Sequence, residues 1–294
     1  MSWLTEYKSS LKMVEVEEFF DLYFYRPLAF LFVKAIYSTS LTPNQITLLS
    51  MLLGIAGAAC IATGSASMLA IGALLLVGYD VLDCSDGQLA RLKKNGTRIG
   101  RILDGFADYI VVVGTYFAIA IGFASQAENP LLWWALTAAA GFSNMVHSVL
   151  VDYYRNRFLD VVLGRVSTFE EDLAEFEREY TSYREQGVRL FDRFIIRVYL
   201  GYSGMQRGLA SGNKKLSFLS KVDPGEYYRR NKMIMKLWLM LGPTSQLTYV
   251  IVGALFNRLD VYLYALIVAG NLLALILHIA QTRINRSLQT TPTA

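Results

Sequence analysis

The chain has 294 residues, of which 54% are hydrophobic and 18% are charged, and its mean hydropathy is +0.35. This is more apolar than a soluble domain of that size usually is, so the composition directs attention to membrane spans. The formal net charge of +4 is modest, and because basic residues flank the apolar runs it indicates a membrane surface and no nucleic-acid partner. Cys60 and Cys84 both lie within apolar runs and imply no disulfide framework.

Residues 1–42 are predicted to form a juxtamembrane segment of interfacial helices. Residues 8–39 combine charge with a bulky apolar face, and Pro27 and Lys34 interrupt the apolar stretch, so the segment is not a clean span. The stretch from Met1 to Glu18 carries charges throughout and lacks the uncharged core of a cleavable signal peptide.

Six spanning helices are predicted from apolar runs of about 20 residues in which charges are nearly absent. Such a run can cross roughly 30 Å of hydrocarbon at about 1.5 Å per helical residue. The predicted spans are residues 44–64, 66–90, 101–124, 130–152, 235–256 and 260–282. They predict an all-α integral membrane protein, with helices one to four in residues 43–152 and helices five and six in residues 235–282.

The distribution of Lys and Arg predicts the orientation in the membrane. The tail, residues 283–294, carries Arg283 and Arg286, whereas the opposite connections contain a single basic residue, Arg258. By the positive-inside rule, both termini are predicted to be cytoplasmic in a multi-pass protein. The connection between the second and third spans is predicted to lie on the same side, because it contains Arg91, Lys93, Lys94 and Arg98.

Residues 153–234 are predicted to be a cytosolic helical insertion. Apolar residues recur there at steps of three and four, which predicts two amphipathic helices. The expected use of their apolar faces is docking on the membrane domain or on a second subunit, which leaves a homodimer open, and substrate binding is the alternative. The residues that set the pattern are Phe169, Leu173, Phe176, Tyr180 and Tyr183, then Val188, Phe191, Ile195 and Val198.

Four aspartates form the most informative pattern in the chain. Asp83 and Asp86 are three residues apart, so they share one face of a helix. Asp104 and Asp108 are four residues apart and do the same on the next helix. A short loop joins these two helices, so we expect them to be antiparallel and the two acidic pairs to face each other near the cytoplasmic end of the apolar runs.

Clustered carboxylates near hydrocarbon are costly, at about 2.5 to 3.5 kcal/mol or more each, and they repel one another unless a cation lies between them. A divalent metal supplies that charge. Because no His or Cys has suitable spacing, the hard oxygen ligands favour Mg²⁺, Mn²⁺ or Ca²⁺ over Zn²⁺. Mg²⁺ or Mn²⁺ is the usual partner of phosphate chemistry, so one of these is the predicted cofactor.

Small residues accompany the aspartates. Gly87 and Ala90 lie on the same helix face as Asp83, and Gly100 lies one turn before Asp104, which predicts a slot where a bulky ligand approaches the backbone. Close packing of membrane helices is the alternative explanation of these small residues. Arg91 follows Gly87 by one turn, and a fixed cation beside carboxylate-held metal suits a diphosphate ester.

Together these residues resemble the signature of the CDP-alcohol phosphotransferase family, D-x2-D-G-x2-A-R-x8-G-x3-D-x3-D, at every fixed position. The resemblance covers the six-span core, roughly residues 40–152 and 235–282, and leaves the cytosolic insertion outside. The matching residues are Asp83, Asp86, Gly87, Ala90, Arg91, Gly100, Asp104 and Asp108.

The resemblance implies a role for each acidic residue. Asp83, Asp86 and Asp104 would hold the metal, which in this family implies two ions of Mg²⁺ or Mn²⁺. Asp108 would contribute to the same metal site and act as the base that activates the acceptor hydroxyl.

The resemblance also implies contacts to the cytidine diphosphate part of the donor. Gly87 and Arg91 would make two of these, and Thr97 in the following loop is similar to another. Asn44 and Thr47 complete the set, because the segment from Pro43 to Thr47 looks like the Pro-Asn-x-x-Thr segment that opens the first span in the family.

Several polar residues have ordinary structural explanations. Thr42 as N-cap with Gln45 at the third helical position predicts a helix start. His147 and His278 are predicted to hydrogen-bond neighbouring helices. Asp80, one turn before Asp83, is predicted to support the site and not to bind metal.

The implied activity is transfer of a substituted phosphoryl group from a CDP-linked donor to an acceptor alcohol, with release of CMP, in phospholipid synthesis at a lipid membrane. CDP-diacylglycerol is the favoured donor, because Arg155 and Arg157 beside the fourth span suit a phosphorylated acceptor, although anchoring at the membrane interface explains them equally well. A CDP-linked head group with a lipid acceptor is the alternative. A membrane prenyltransferase and a cation transporter compete with this prediction. The set of Gly87, Ala90 and Arg91 and the short separation of the acidic pairs argue against the first. The clustering of acids at one membrane edge argues against the second.

Overall fold

The computed structural model of the chain describes residues 3–11, 14–163, 168–187 and 222–289, together with residues 193, 194, 196, 197, 199–201, 203 and 204. All regular structure in these residues is helical, as predicted. The chain divides into two compact units, Met1–His147 with Leu239–Leu272, and Ser148–Trp238 with Leu273–Ala294.

The connections between the first four long apolar helices are short. A π-helical turn over Asp21–Tyr25 leads into α2, and a second over Leu266–Gly270 joins α10 to α11. The helices are α1 (Trp3–Ser10), α2 (Arg26–Ile36), α3 (Pro43–Ala62), α4 (Ala66–Lys93), α5 (Arg98–Ala124), α6 (Pro130–Val162), α7 (Thr168–Glu185), α8 (Pro224–Leu239), α9 (Pro243–Leu255), α10 (Leu259–Ala265) and α11 (Asn271–Gln289).

Five helical stretches in the described residues are long and apolar enough to cross a membrane: Pro43–Ala62, Ala66–Lys93, Gly100–Ala124, Pro130–Val162 and Leu259–Leu288. They correspond to five of the six predicted spans. The predicted span over residues 235–256 is not one continuous helix, because α8 ends at Leu239 and α9 begins at Pro243. Gly242 is the N-cap of α9, and Pro243 starts the new helix because it has no N–H to donate back to α8.

The core of the first unit lies where α3 and α4 approach each other closely. A Cβ atom on Gly57 would lie 3.0 Å from the Gly72 carbonyl oxygen, and a Cβ atom on Gly72 would lie 2.8 Å from the Gly57 carbonyl oxygen. Small residues at both positions therefore let the two backbones touch, as is common between membrane helices. Around this contact one apolar cluster joins residues of α3, α4, α5, α9 and α10, including Ile61, Leu76, Val111, Val250 and Leu263.

The segment before α3 buries charge and exposes aromatic rings. Glu17 and Arg26 are both buried and form an ion pair of 2.8 Å. Phe19 and Tyr23 are more than 60% exposed, which suits the predicted position of this segment at a membrane interface. Burial raises the pKa of the neighbouring Asp21 carboxyl, and the nearby positive charge of Arg26 opposes that shift.

The second unit is held by contacts among the end of α6, α8 and α11. The Tyr154 ring stacks on Trp238 with centroids 4.7 Å apart, and the Gln281 amide donates to Asn231. The first helix predicted in the insertion is α7, in which Phe176 is buried and contacts the Tyr199 ring at 5.0 Å. The residues that predict the second insertion helix (Val188, Phe191, Ile195 and Val198) lie outside the described part of the chain.

Candidate active site

The site lies where the end of α4 meets the beginning of α5. Lys94 adopts a left-handed conformation (φ 52°) and ends α4, and its N–H bonds the carbonyl oxygens of the last turn. Thr97 is the N-cap of α5, because its Oγ1 accepts the Gly100 N–H at 2.9 Å. The four-residue connection over 94–97 reverses the chain, so residues near the end of α4 face residues near the beginning of α5.

Three of the four predicted acidic ligands converge there. Asp83 from α4 and Asp104 and Asp108 from α5 each offer one carboxylate oxygen, and these three atoms all lie within 4.8 Å of one another. All three side chains are half-buried. The prediction that acids on the two helices face each other is therefore confirmed for this trio, hereafter the aspartate trio.

Asp86 is not one of the three residues whose oxygens converge. It is only 4% exposed, and its Oδ2 accepts a hydrogen bond from the Thr47 hydroxyl, which is also buried. Thr47 was predicted to contact the nucleotide, but its described partners are Asp86 and the Pro43 carbonyl. Its donor contact and the metal-ligand role of Asp86 stay predictions.

Asp108 is held by a residue that the sequence analysis did not single out. The Tyr79 hydroxyl donates to Asp108 Oδ1 at 2.6 Å, and the Tyr79 side chain is 3% exposed within the apolar core. Gly54 lies against Val111 and against this ring, since a Cβ atom there would lie 2.6 Å from the Val111 methyl carbons and 3.2 Å from Tyr79 Cδ2. The sequence could have indicated Tyr79 as a neighbour of the acidic residues, because it lies one helical turn before Asp83 on the same face.

Asp80 has a predicted supporting role, and that role stays a prediction. It is 5% exposed, it is not part of the aspartate trio, and its Oδ2 has no hydrogen-bond partner among the described residues. A buried carboxylate oxygen of this kind stays costly unless a further group satisfies it.

The predicted nucleotide contacts form two groups. Asn44 and Thr97 meet at Gly100, where a Cβ atom would lie 2.8 Å from Asn44 Oδ1 and 2.9 Å from Thr97 Oγ1. Gly87 and Arg91 form the second group, because a Cβ atom on Gly87 would lie 3.3 Å from Arg91 Nη1. The predicted slot beside Gly87 therefore holds the Arg91 guanidinium in this structure.

The ordinary structural explanations given to other polar residues are confirmed. Thr42 and Gln45 form a capping box at the start of α3. His147 Nε2 shares a hydrogen bond of 3.0 Å with Asn271, and His278 Nδ1 shares one of 2.8 Å with the Tyr154 hydroxyl. Both histidines thus bond to neighbouring helices.

Comparison with known proteins locates this site within a matched region. Residues 40–169 match the family model for CDP-alcohol phosphatidyltransferase. Over 132 residues, 44% of this chain, it is 32% identical to the bifunctional IPC transferase and DIPP synthase of Rubrobacter xylanophilus. The chain covers only 26% of that relative's length.

The matched region contains the whole signature from Asp83 to Asp108, and four of the five apolar helices long enough to cross a membrane begin within it. The apolar helices and the family together point to a multi-pass membrane protein. Residues 40–169, which contain the aspartate trio, are thus similar to the CDP-alcohol phosphatidyltransferase family.

Proposed function

We propose that the chain transfers a substituted phosphoryl group from a CDP-alcohol to an acceptor alcohol and releases CMP. The observation that carries the proposal is the aspartate trio, whose oxygens lie within 4.8 Å of one another inside the family-matched region. The family match also argues against the prenyltransferase and transporter alternatives. We place the reaction at the cytoplasmic face of a six-span protein, because basic residues flank this end of α4 and α5.

The aspartate trio fits a hard divalent cation. Protein oxygens bind such ions at about 2.0 to 2.6 Å, so oxygens that share one ion lie within about 5 Å of each other, as these do. Asp83, Asp104 and Asp108 would hold the ion, and Asp86 would join through its second oxygen or at a second ion. When bound, Mg²⁺ or Mn²⁺ would neutralise charge on the diphosphate of the donor.

The donor would lie along the ends of α3, α4 and α5. Arg91 is suited to its diphosphate, since a guanidinium makes strong charge-assisted bonds to phosphate oxygens. Asn44, Thr97 and Thr47 offer neutral polar groups for the cytidine and its ribose. Bare backbone at Gly87 and Gly100 keeps side-chain bulk out of this path.

Asp108 is proposed as the base. Its carboxylate would take the proton of the acceptor hydroxyl while the acceptor oxygen bonds to phosphorus and the bond from phosphorus to the CMP oxygen breaks. CMP leaves with the electron pair of that bond, and Asp108 later returns the proton to solvent. The hydrogen bond from Tyr79 holds the carboxylate in place for this transfer.

For the donor we propose CDP-diacylglycerol, with a CDP-linked head group as the alternative. Arg155 and Arg157 favour this donor by their charge, but the Arg155 guanidinium pairs with Asp152 on the same helix. The donor assay must therefore contain both classes.

The experiment is a CMP-release assay on purified protein, with CDP-diacylglycerol or CDP-choline and a panel of acceptor alcohols. We expect CMP release to require donor, acceptor and added Mg²⁺ or Mn²⁺. Full turnover in excess chelator would contradict the metal requirement, and no turnover with any donor would contradict the proposed activity.

Two variants test the assigned roles. Asp104→Ala should keep less than about a tenth of wild-type turnover, a barrier increase of about 1.4 kcal/mol or more. Asp260→Ala, which removes an exposed carboxylate paired with Arg258 outside the matched region, is the control and should keep wild-type turnover.

Asp108→Asn should lower turnover by about 10²-fold or more while CDP still binds, because the amide keeps the shape and cannot accept the proton.

A further inference from the structure

One edge of the Arg91 guanidinium is hydrogen-bonded to α1, which lies outside the family-matched residues 40–169. Its Nε donates to the carbonyl oxygen of Ser10, the last residue of α1, at 2.5 Å. Its Nη2 is buried and has no hydrogen-bond partner among the described residues. The Nε edge of this guanidinium is thus hydrogen-bonded within the protein. The Nη2 group is a buried donor that a ligand oxygen could satisfy.

Side-chain contacts seat α1 so that Ser10 reaches Arg91. The Tyr7 ring packs edge-on against the fully buried Phe30 of α2 with centroids 5.2 Å apart, and the Tyr7 hydroxyl donates to the Leu22 carbonyl at 3.4 Å. Glu6 adds an ion pair of 2.7 Å with Lys34 of α2 at the surface. Ser10 itself is fully buried, and its hydroxyl donates to the Tyr7 carbonyl.

The base on which α1 rests is itself attached to α4. Gln88, one turn before Arg91 on the helix, donates to the Arg26 carbonyl at 3.0 Å, and the Arg26 side chain is held by its buried ion pair with Glu17. Hydrogen bonds therefore join α4 to α2 through Gln88 and to α1 through Arg91.

We propose that α1 is a positioning element of the donor site, and that the Ser10 carbonyl orients Arg91 so that its Nη edge meets the diphosphate of a nucleoside diphosphate donor. A guanidinium is planar with its donors in a fixed fork, so a bond at Nε sets the plane of the whole group. Holding that plane before the donor arrives removes an ordering cost from binding. The inference rests on the proposed function, in which Arg91 binds the donor.

The test is CDP affinity, measured by isothermal titration calorimetry on the full chain in detergent with Mg²⁺ present. Tyr7→Ala removes the ring that seats α1 on Phe30 and should weaken CDP binding about five- to tenfold, the range of one lost or misaligned polar contact. Turnover at saturating donor should stay within about twofold, since Tyr7 is proposed to act on donor binding alone. Ser9→Ala is the control, because the Ser9 hydroxyl donates to the Glu6 carbonyl on the exposed face of the same helix, and it should leave CDP affinity unchanged.

Combining Tyr7→Ala with Arg91→Ala shows whether the loss of CDP affinity in Tyr7→Ala depends on Arg91. Tyr7→Ala combined with Arg91→Ala should bind CDP as Arg91→Ala alone does, because contacts that act through one group are not additive. Equal weakening by Tyr7→Ala in both backgrounds would overturn the inference. Glu6→Lys, an exposed charge reversal opposite Lys34 that leaves the core intact, should weaken CDP binding in the same Arg91-dependent way if Tyr7→Ala fails to fold.

The two proposals fail differently. If Arg91→Ala leaves CDP affinity unchanged, the donor role of Arg91 is wrong and the proposed function loses its diphosphate contact. If Arg91→Ala weakens binding while Tyr7→Ala and Glu6→Lys do not, the donor role stands and α1 has no part in it.

Discussion

At the scale of single residues, the contact between Tyr79 and Asp108 gives the sharpest expectation. The ring is locked in the apolar core and its hydroxyl reaches the proposed base at 2.6 Å. Tyr79→Phe keeps the ring and removes that hydrogen bond, so the carboxylate loses one restraint on its orientation. Losing such an outer partner of a metal-binding carboxylate typically costs about 10- to 100-fold in activity or metal affinity, so we expect kcat to fall at least about tenfold.

Two measurements separate this effect from general damage. The donor KM of Tyr79→Phe should stay within about twofold, because the described hydrogen bond of this hydroxyl goes to the proposed base Asp108. Tyr116→Phe, which removes the buried hydroxyl bonded to Tyr262 at 2.5 Å, is the control and should keep wild-type kcat. Equal losses in both variants would show that any buried hydroxyl matters and that Asp108 is not specifically held.

Sequence reasoning identified the acidic residues because their spacing on one helix face is a local property. It did not show that the Asp86 carboxylate bonds the Thr47 hydroxyl, because Thr47 lies 39 positions away on α3. Likewise the sequence shows Arg91 one turn after Gly87, but not that the guanidinium lies over that glycine and bonds Ser10. Both facts arise from tertiary contacts.

At the scale of elements, the start of α9 depends on a carboxylate from the other end of the sequence. Glu18 Oε2 accepts the Ser245 N–H at 2.7 Å, and Asp21 accepts from the Thr244 hydroxyl at 3.2 Å. These acids satisfy donors at a helix N-terminus, where negative charge is favourable. The hydropathy pattern predicted the apolar run over 235–256, but it does not register a break that Gly242 and Pro243 impose.

Gly242→Ala should destabilise the first unit. A Cβ atom there would lie 2.3 to 2.6 Å from the Glu18 carboxylate atoms, so the carboxylate must move and α9 loses its cap. We expect a loss of about 1 to 2 kcal/mol, measured as a lower thermal unfolding midpoint in detergent. Gly114→Ala, whose Cβ atom would meet nothing within 4 Å, is the control and should not lower the midpoint. An unchanged midpoint for Gly242→Ala would mean that the cap does not stabilise the fold.

At the scale of the whole molecule, the number of spans decides which side of the membrane each loop faces. Five helical stretches in the described residues are long enough to cross, and an odd number would place residues 283–289 opposite the segment before α3. The sixth crossing needs residues 235–255, because α9 alone has 13 residues, about 20 Å, and the hydrocarbon core is about 30 Å thick. Residues of α8 before Leu239 must therefore lie in the membrane if this crossing exists.

The short loop between α9 and α10 reports on that crossing. With six spans it faces the same side as the loop between α5 and α6. Without a crossing by residues 235–255 it faces the same side as the loop between α4 and α5, which we propose to be cytoplasmic. In a background carrying Cys60→Ala and Cys84→Ala, we expect Phe256→Cys and Glu128→Cys to react with a membrane-impermeant thiol reagent on intact cells. Asn95→Cys should react only after permeabilisation, because basic residues surround it and such loops stay inside. Reaction of Phe256→Cys only after permeabilisation would show that residues 235–255 do not cross, and would place the end of α11 on the side away from the aspartate trio.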